Sequence, residues 1–290
     1  LFPLLQENKN FFIYSQNFFY KNWNNENNNN LIEYTLPLES IENIQFSIMS
    51  PEEIKKGSVC EVIVAELYDG NVPKTNGLFD PRMGILDRGR LCSTCENDIE
   101  LCPGHFGHIE LAQPVFNINY LVYCIKLLSC ICFRCSNLLI DKSDPNIMKI
   151  INRTKGMARF NAISILSKKV SKCEHNNGCF VLQPHKYVKE LVNQMQFKDN
   201  IFKIYADVKS IDAFKDSQVK NRHLISPELC KHIFSRITKE DCELLGFSNN
   251  FSRPEWMIMT NISVPPPSVR PSVRADNNVR SEDDLTFALS

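Results

Sequence analysis

The sequence has 290 residues, 43% hydrophobic and 23% charged, a composition that can bury one large core or two ordinary ones. Thirty-three basic residues balance thirty-three acidic ones, so no chain-wide cationic field is available for nucleic acid, and any such contact must come from a local patch or a partner. The opening LFPLLQENKN turns polar at Gln6 and does not read as a signal peptide; the longest apolar stretch, Tyr120 to Phe133, is interrupted by Lys126 and too short to span a bilayer.

Residues 1–40 are rich in Asn, Phe and Tyr, and polar tracts such as NNENNNN bury little apolar surface, so this extension is expected to be disordered. IQFSIM, 44–49, alternates like a half-buried strand. Ser50, Pro51 and Glu53 supply an N-cap, a first-turn proline and a capping-box glutamate. VCEVIVAEL, 59–67, reads as a second strand, followed by a turn-rich stretch. Asn117 to Cys130 carries a helical apolar pattern, and the segment from Asp144 to Val170 reads as one or two helices broken at Gly156.

Residues 183–225 give mixed periodicity, with one strand expected at IFKIYADV. Ser226-Pro227-Glu228 opens a helix to about Arg236, and Thr238 caps another that stops at Gly246. WMIMTNISV, 256–264, is strand-like, and Pro265-Pro266-Pro267 then forces an extended segment without backbone donors. Ser281 reads as the cap of a final helix. That opening helix, and Leu1 in place of a methionine, give the expectation of a piece of a longer protein. The fold class expected is α+β, an irregular multi-element arrangement of short strands and helices.

The chemistry lies in the cysteines. Twelve occur in a chain with no secretory signature, where clusters mean metal more often than disulfide. Cys92-Ser-Thr-Cys95 and Cys102-Pro-Gly-His105 form a C-x2-C, C-x2-H pair, and each short knuckle can present two tetrahedral zinc donors from one tight turn. Gly104 lets the backbone turn between ligands. His108 competes as the fourth ligand, but His105 completes the knuckle.

Cys132-Phe-Arg-Cys135 is a second knuckle, closed across a long loop by Cys173 and Cys179, with Cys130 and His175 as alternative ligands. Both sites read as structural, because protein fills all four positions and no place is left for an activated water. Three thiolates and an imidazole leave the first site at about −1, and four thiolates leave the second at about −2. Nearby Arg88, Arg90, Arg134, Lys168, Lys169 and Lys172 either offset that charge or form an ordinary solvated face. Cys60, Cys124, Cys230 and Cys242 sit in apolar segments as expected buried hydrophobes.

Two blocks carry a resemblance. GLFDPRMGILDRGRLCSTCENDIELCPGHFGHIELAQPVFN, 77–117, and FSRPEWMIMTNISVPPPSVRPSV, 251–273, resemble the N-terminal clamp region of the largest subunit of multisubunit DNA-dependent RNA polymerases, and the triple proline followed by Val-Arg-Pro-Ser is similar to the RNA polymerase II type. The resemblance implies a clamp core from 41–120 with the first zinc site, a clamp head from 121–225 with the second, and a second part of the core from 226–290 with a lid loop. It implies zipper-loop residues at 58–76 and lid residues at 268–282, which makes Arg270, Arg274 and Arg280 candidate nucleic-acid contacts.

It further implies DNA-templated RNA synthesis, with partners in the other polymerase subunits, especially the second-largest, and in the DNA template and RNA–DNA hybrid. No membrane partner is implied. The compartment implied is the nucleus, or a viral factory or the cytoplasm for a virus-encoded enzyme. The family's Mg2+-binding Asn-Ala-Asp-Phe-Asp-Gly-Asp motif does not occur in these 290 residues, so this chain holds no catalytic magnesium and none of its residues is expected to be catalytic. Rival readings are a non-enzymatic zinc-ribbon interaction protein, a truncated paralogue, and the equivalent subunit of a viral, archaeal, I or III type polymerase.

Overall fold

The structure, a computed structural model, describes residues 46–70, 72–175, 177–193, 200–209, 220–274 and 280–290. The Asn-rich extension lies outside the described residues, as do the first residues of the strand expected at 44–49. Within 46–50 no strand forms; the backbone is held at Ile48, whose N–H donates to the Phe251 carbonyl at 2.8 Å. The Ser50–Glu53 capping box forms and opens helix α1 (Pro51–Lys56).

Strand β1 (Ser58–Glu61) is shorter than the apolar run expected over 59–67. The chain turns away because the N–H groups of Ile63 and Val64 both donate to the Asn76 carbonyl instead of continuing a ladder. A two-residue hairpin, β2 (Tyr68–Asp69) with β3 (Val72–Pro73), follows. The long strand β4 (Phe106–Phe116) leads through a 3-10 turn at Ile118–Tyr120 into α2 (Leu121–Leu128), within the stretch that carried the helical pattern.

Helices α3 (Pro145–Arg153, capped by Asp144) and α4 (Gly156–Ser167) are the expected broken pair. A three-stranded antiparallel meander comes next: β5 (Lys186–Asn193), β6 (Asn200–Lys209) and β7 (Lys220–Ile225). Only its middle strand was expected. Helices α5 (Pro227–Ser235) and α6 (Lys239–Leu245) carry the expected Ser226 and Thr238 caps, and α6 ends at Gly246 in the left-handed region. Strand β8 (Ile258–Val264) pairs antiparallel with β4, whose other edge carries β1 in parallel. The short pair β9 (Val273–Arg274) and β10 (Arg280–Ser281) precedes α7 (Asp284–Leu289), which is capped by Asp283 rather than Ser281.

Mixed short strands and helices place the fold in the α+β class. The main core joins α2, α4, α5, α6, the meander and the start of β8 around Leu127, Phe160, Ile204, Phe234 and Ile258. A smaller core joins Cys60, Val62, Leu78 and Met83 to Val264 at the other end of β8. One strand thus serves both cores, and its pairing brings residues 106–116 against 258–264 across a wide sequence gap. Cys60, Cys124, Cys230 and Cys242 are all buried, as expected of small hydrophobes. Among the described residues, no helix is long and apolar enough to cross a membrane.

Candidate metal centres

The first candidate centre is built on the loop that follows Leu78. Asp80 is fully buried and accepts from the backbone N–H of Asn76 at 2.6 Å, the backbone N–H of Arg82 at 2.9 Å and the Arg82 guanidinium at 2.7 and 2.9 Å. Burial opposes the Asp80 carboxylate, but the Arg82 guanidinium and the two backbone donors hold its pKa below the ordinary value. This clasp presents the Met83 carbonyl to the His105 N–H at 2.8 Å and the Arg82 carbonyl to the Thr94 hydroxyl at 2.6 Å.

The knuckle itself is closed by Cys92 N–H to the Asn97 carbonyl and Glu96 N–H to the Cys92 carbonyl, both at 2.9 Å, with Glu96 at φ 57°. Ligand-capable atoms of Cys92, Cys95, Cys102 and His105 all lie within 4.8 Å of one another, with Cys102 Sγ 3.8 Å from His105 Nε2. His108, the competing ligand, points elsewhere: its Nδ1 pairs with the Ser58 hydroxyl at 2.8 Å.

The electrostatics suit a cation. Burial opposes ionisation of Cys92, yet backbone donors at Cys95 and Thr94 bring its pKa down. Burial raises Cys102 to about 12, partly offset by the Gly104 N–H and reinforced by the neighbouring thiols of Cys95 and Cys92. Burial lowers the His105 pKa and so favours its neutral, ligating form. Three crowded sulfurs repel one another as thiolates unless a positive ion sits among them, and the neutral imidazole offers such an ion a fourth donor.

The second centre repeats the knuckle. Cys132 N–H donates to the Asn137 carbonyl and Ser136 N–H to the Cys132 carbonyl, again at 2.9 Å, with Ser136 at φ 63°. Cys135, Cys173 and Cys179 complete a cluster within 4.8 Å; Cys132 and Cys179 are 3.5 Å apart at sulfur, Cys135 and Cys173 3.6 Å. The far arm is shaped by Phe180 N–H to the Cys173 carbonyl at 2.9 Å and Cys173 N–H to the Val181 carbonyl at 3.1 Å. Gly178 is packed so closely that a Cβ there would sit 2.1 Å from the Cys173 carbonyl oxygen.

Burial raises the Cys173 pKa, against the Cys179 N–H and with the help of the Cys135 and Cys132 thiols. Neither alternative ligand joins the cluster: Cys130 bonds the Lys126 carbonyl at 3.2 Å, and His175 faces Asp141 at 4.0 Å.

Gln183 was not foreseen. Its side-chain N–H donates to Cys132 Sγ at 3.2 Å and to the Val181 carbonyl at 3.0 Å, while its oxygen accepts from the Phe133 N–H at 3.3 Å. It lies beyond the last ligand in a stretch of mixed periodicity, so nothing in its spacing marked it. Arg88, Arg90, Arg134, Lys168, Lys169 and Lys172 are all exposed, which fits the solvated-face reading. Arg274 and Arg280 are register partners in the β9–β10 pair.

Arg270 departs from the expectation of a loop arginine open to nucleic acid. It is fully buried, because its guanidinium is spent on Pro265, Leu78 and Thr286 inside the fold.

Comparison with known proteins decides the family. The model for RNA polymerase Rpb1, domain 1, matches residues 38–290. The chain belongs to the Rpb1 family. A curated relative, the DNA-directed RNA polymerase II subunit RPB1 of Euplotoides octocarinatus, is 38% identical over 257 residues. That alignment covers 88% of this chain and 52% of the relative, so the chain spans about half the length of the curated Rpb1 relative it matches. The Rpb1 match takes in both cysteine clusters, the β4–β8 pairing and the β9–β10 loop.

Proposed function

We propose that this chain is the N-terminal clamp portion of the largest subunit of a nuclear, type II DNA-directed RNA polymerase. In this reading it works with the other subunits, the second-largest above all, to hold DNA and the RNA–DNA hybrid during templated RNA synthesis. The observation that carries the reading is the family match over residues 38–290. Residues 41–120 and 226–290 form the clamp core, a division supported by the β4–β8 pairing, and residues 121–225 form the head. The zipper residues fall at 58–76 and the lid at 268–282, where Arg274 and Arg280 are the candidate nucleic-acid contacts and Arg270 is internal.

The donor sets fit zinc: Cys92, Cys95, Cys102 and His105 in one centre, Cys132, Cys135, Cys173 and Cys179 in the other, each with four atoms in one small shell. A bound zinc would supply cross-linking charge and no activated water. The chain's own residues do the rest. The backbone N–H groups of Cys95 and Thr94 turn Cys92 toward its thiolate form, and Gln183 orients Cys132. The role is positional: the stiffened loops hold the faces that meet nucleic acid, and bond formation belongs to magnesium-binding aspartates absent from these residues.

Elemental analysis of folded protein prepared without chelator should give about two zinc per chain. The full subunit assembled into its polymerase should extend RNA on a DNA template. A zinc content below about one per chain refutes the metal assignment, and an assembled complex inert on a preformed template–RNA scaffold refutes the polymerase assignment.

A further inference from the structure

Arg270 heads the large side chains that are fully buried among the described residues. A guanidinium has several donors and loses strong hydration on burial, so it is kept only where its partners are fixed. Its Nε donates to the Pro265 carbonyl at 3.0 Å, Nη1 meets the Thr286 hydroxyl at 3.3 Å, and Nη2 donates to the Leu78 carbonyl. The group also lies 4.9 Å from the centre of the Phe79 ring. Burial brings its pKa down to about 10, with Glu282 and Asp283 opposing that fall, so it remains a cation at neutral pH.

The partners come from three separate stretches. Leu78 and Phe79 open the loop that leads to the first candidate centre, Pro265 directly follows β8, and Thr286 lies in α7. Arg270 precedes β9 and Thr286 follows β10, so one side chain closes the chain around the β9–β10 pair and ties its base to the first centre. A second contact runs the same way. A Cβ on Gly104, between the ligands Cys102 and His105, would lie 2.7 Å from Pro266 and 2.8 Å from the Ser268 hydroxyl. The metal-centre knuckle therefore presses directly on the segment that delivers Arg270.

We infer that Arg270 is a positioning residue that sets the base of the β9–β10 loop against the first candidate metal centre and so holds the two paired strands in place on the fold. The inference rests on the reading of that loop as the one beside the hybrid. The side chain touches no nucleic acid itself. Its planar fork reaches three acceptors in three directions, which the single ammonium of a lysine cannot do.

The test uses the full subunit assembled in its polymerase, as wild type and with Arg270→Lys, Arg270→Ala or Thr286→Val. A preformed RNA–DNA scaffold allows the upstream edge of the hybrid to be mapped by nuclease protection, alongside zinc content and the KM for nucleotide. Expected are full zinc and an unchanged KM in all three, with a longer and more heterogeneous upstream hybrid in both arginine variants and a smaller change of the same kind in Thr286→Val. Lysine should fail to rescue.

A hybrid edge identical to wild type in the arginine variants, with full zinc, overturns the inference. If Arg270→Ala does not assemble, Arg270→Lys and Thr286→Val decide, and a wild-type edge in both overturns it equally. A wild-type complex that extends no RNA condemns instead the polymerase reading on which the inference stands.

Discussion

The two candidate metal centres share one half and differ in the other. Cys92 and Cys132 start knuckles with the same two backbone bonds, to Asn97 and Asn137 and from Glu96 and Ser136, and with the fifth residue of each turn at positive φ. The first centre then closes locally, through Cys102 and His105, and leans on the Asp80 clasp and the proline segment. The second closes across the whole of α3 and α4, with Cys132 and Cys179 separated by 47 positions. With a metal bound, one knuckle geometry would serve two tasks: decorating a loop already pinned by its neighbours, and stapling a helical insertion back onto itself. A metal that closes a long loop offsets more chain entropy than one that closes a short loop.

The contrast is broken most sharply by removing one ligand from each centre. Cys173→Ala should lower zinc from about two to about one per chain and release the α3–α4 insertion, with a loss approaching the roughly 10 kcal/mol scale of structural zinc sites. Cys102→Ala should also cost one zinc but leave α3, α4 and the meander protected. Amide hydrogen exchange across 132–185 distinguishes the two, and equal deprotection in both variants refutes the contrast.

Asp80→Asn comes next. The amide turns a donor toward one of the backbone N–H groups of Asn76 or Arg82, at a cost of about 2 kcal/mol, with little added for the partly exposed Arg82. Because the folded-state pKa of Asp80 is depressed, its stabilisation is present above the unfolded carboxylate range and is lost as pH falls through the folded value. The difference between variant and wild type in chemical denaturation should therefore shrink on acidification. A difference that stays constant to low pH removes the carboxylate from the account.

The smallest effect belongs to Gln183→Leu. Loss of a donor to a thiolate ligand should weaken zinc at the second centre about tenfold and leave the first unchanged, as read by competition with a chromophoric chelator. Equal weakening at both centres would mean the variant acts through general stability.

Much of this was legible in short-range chemistry. Each cap at Ser50, Asp144, Ser226 and Thr238 bonds the N–H two or three residues ahead, so a local motif and a local bond coincide. The pairs Cys92–Cys95, Cys102–His105 and Cys132–Cys135 were legible because knuckle spacing is a property of one turn, whereas Cys173 and Cys179 meet their knuckle only across α3 and α4. The apolar run beyond Glu61 misled, because its N–H groups turn to Asn76 and leave Ile63 exposed. The meander was only one-third visible, since β5 and β7 gain their pairing from β6 and their own periodicity is weak.

The sequence by itself determined which cysteines and which histidine gather into two clusters, most helix starts and, through its two long blocks, the family. Only the tertiary structure decided that His108 turns to Ser58, that Gln183 reaches Cys132, and that Arg270 points inward. Those outcomes depend on which distant carbonyls, hydroxyls and rings arrive beside a side chain once β1, β4 and β8 pair and the 172–183 arm folds back on the second knuckle. Residue type and spacing record what a side chain can bond, while burial by remote segments selects which of those bonds is made.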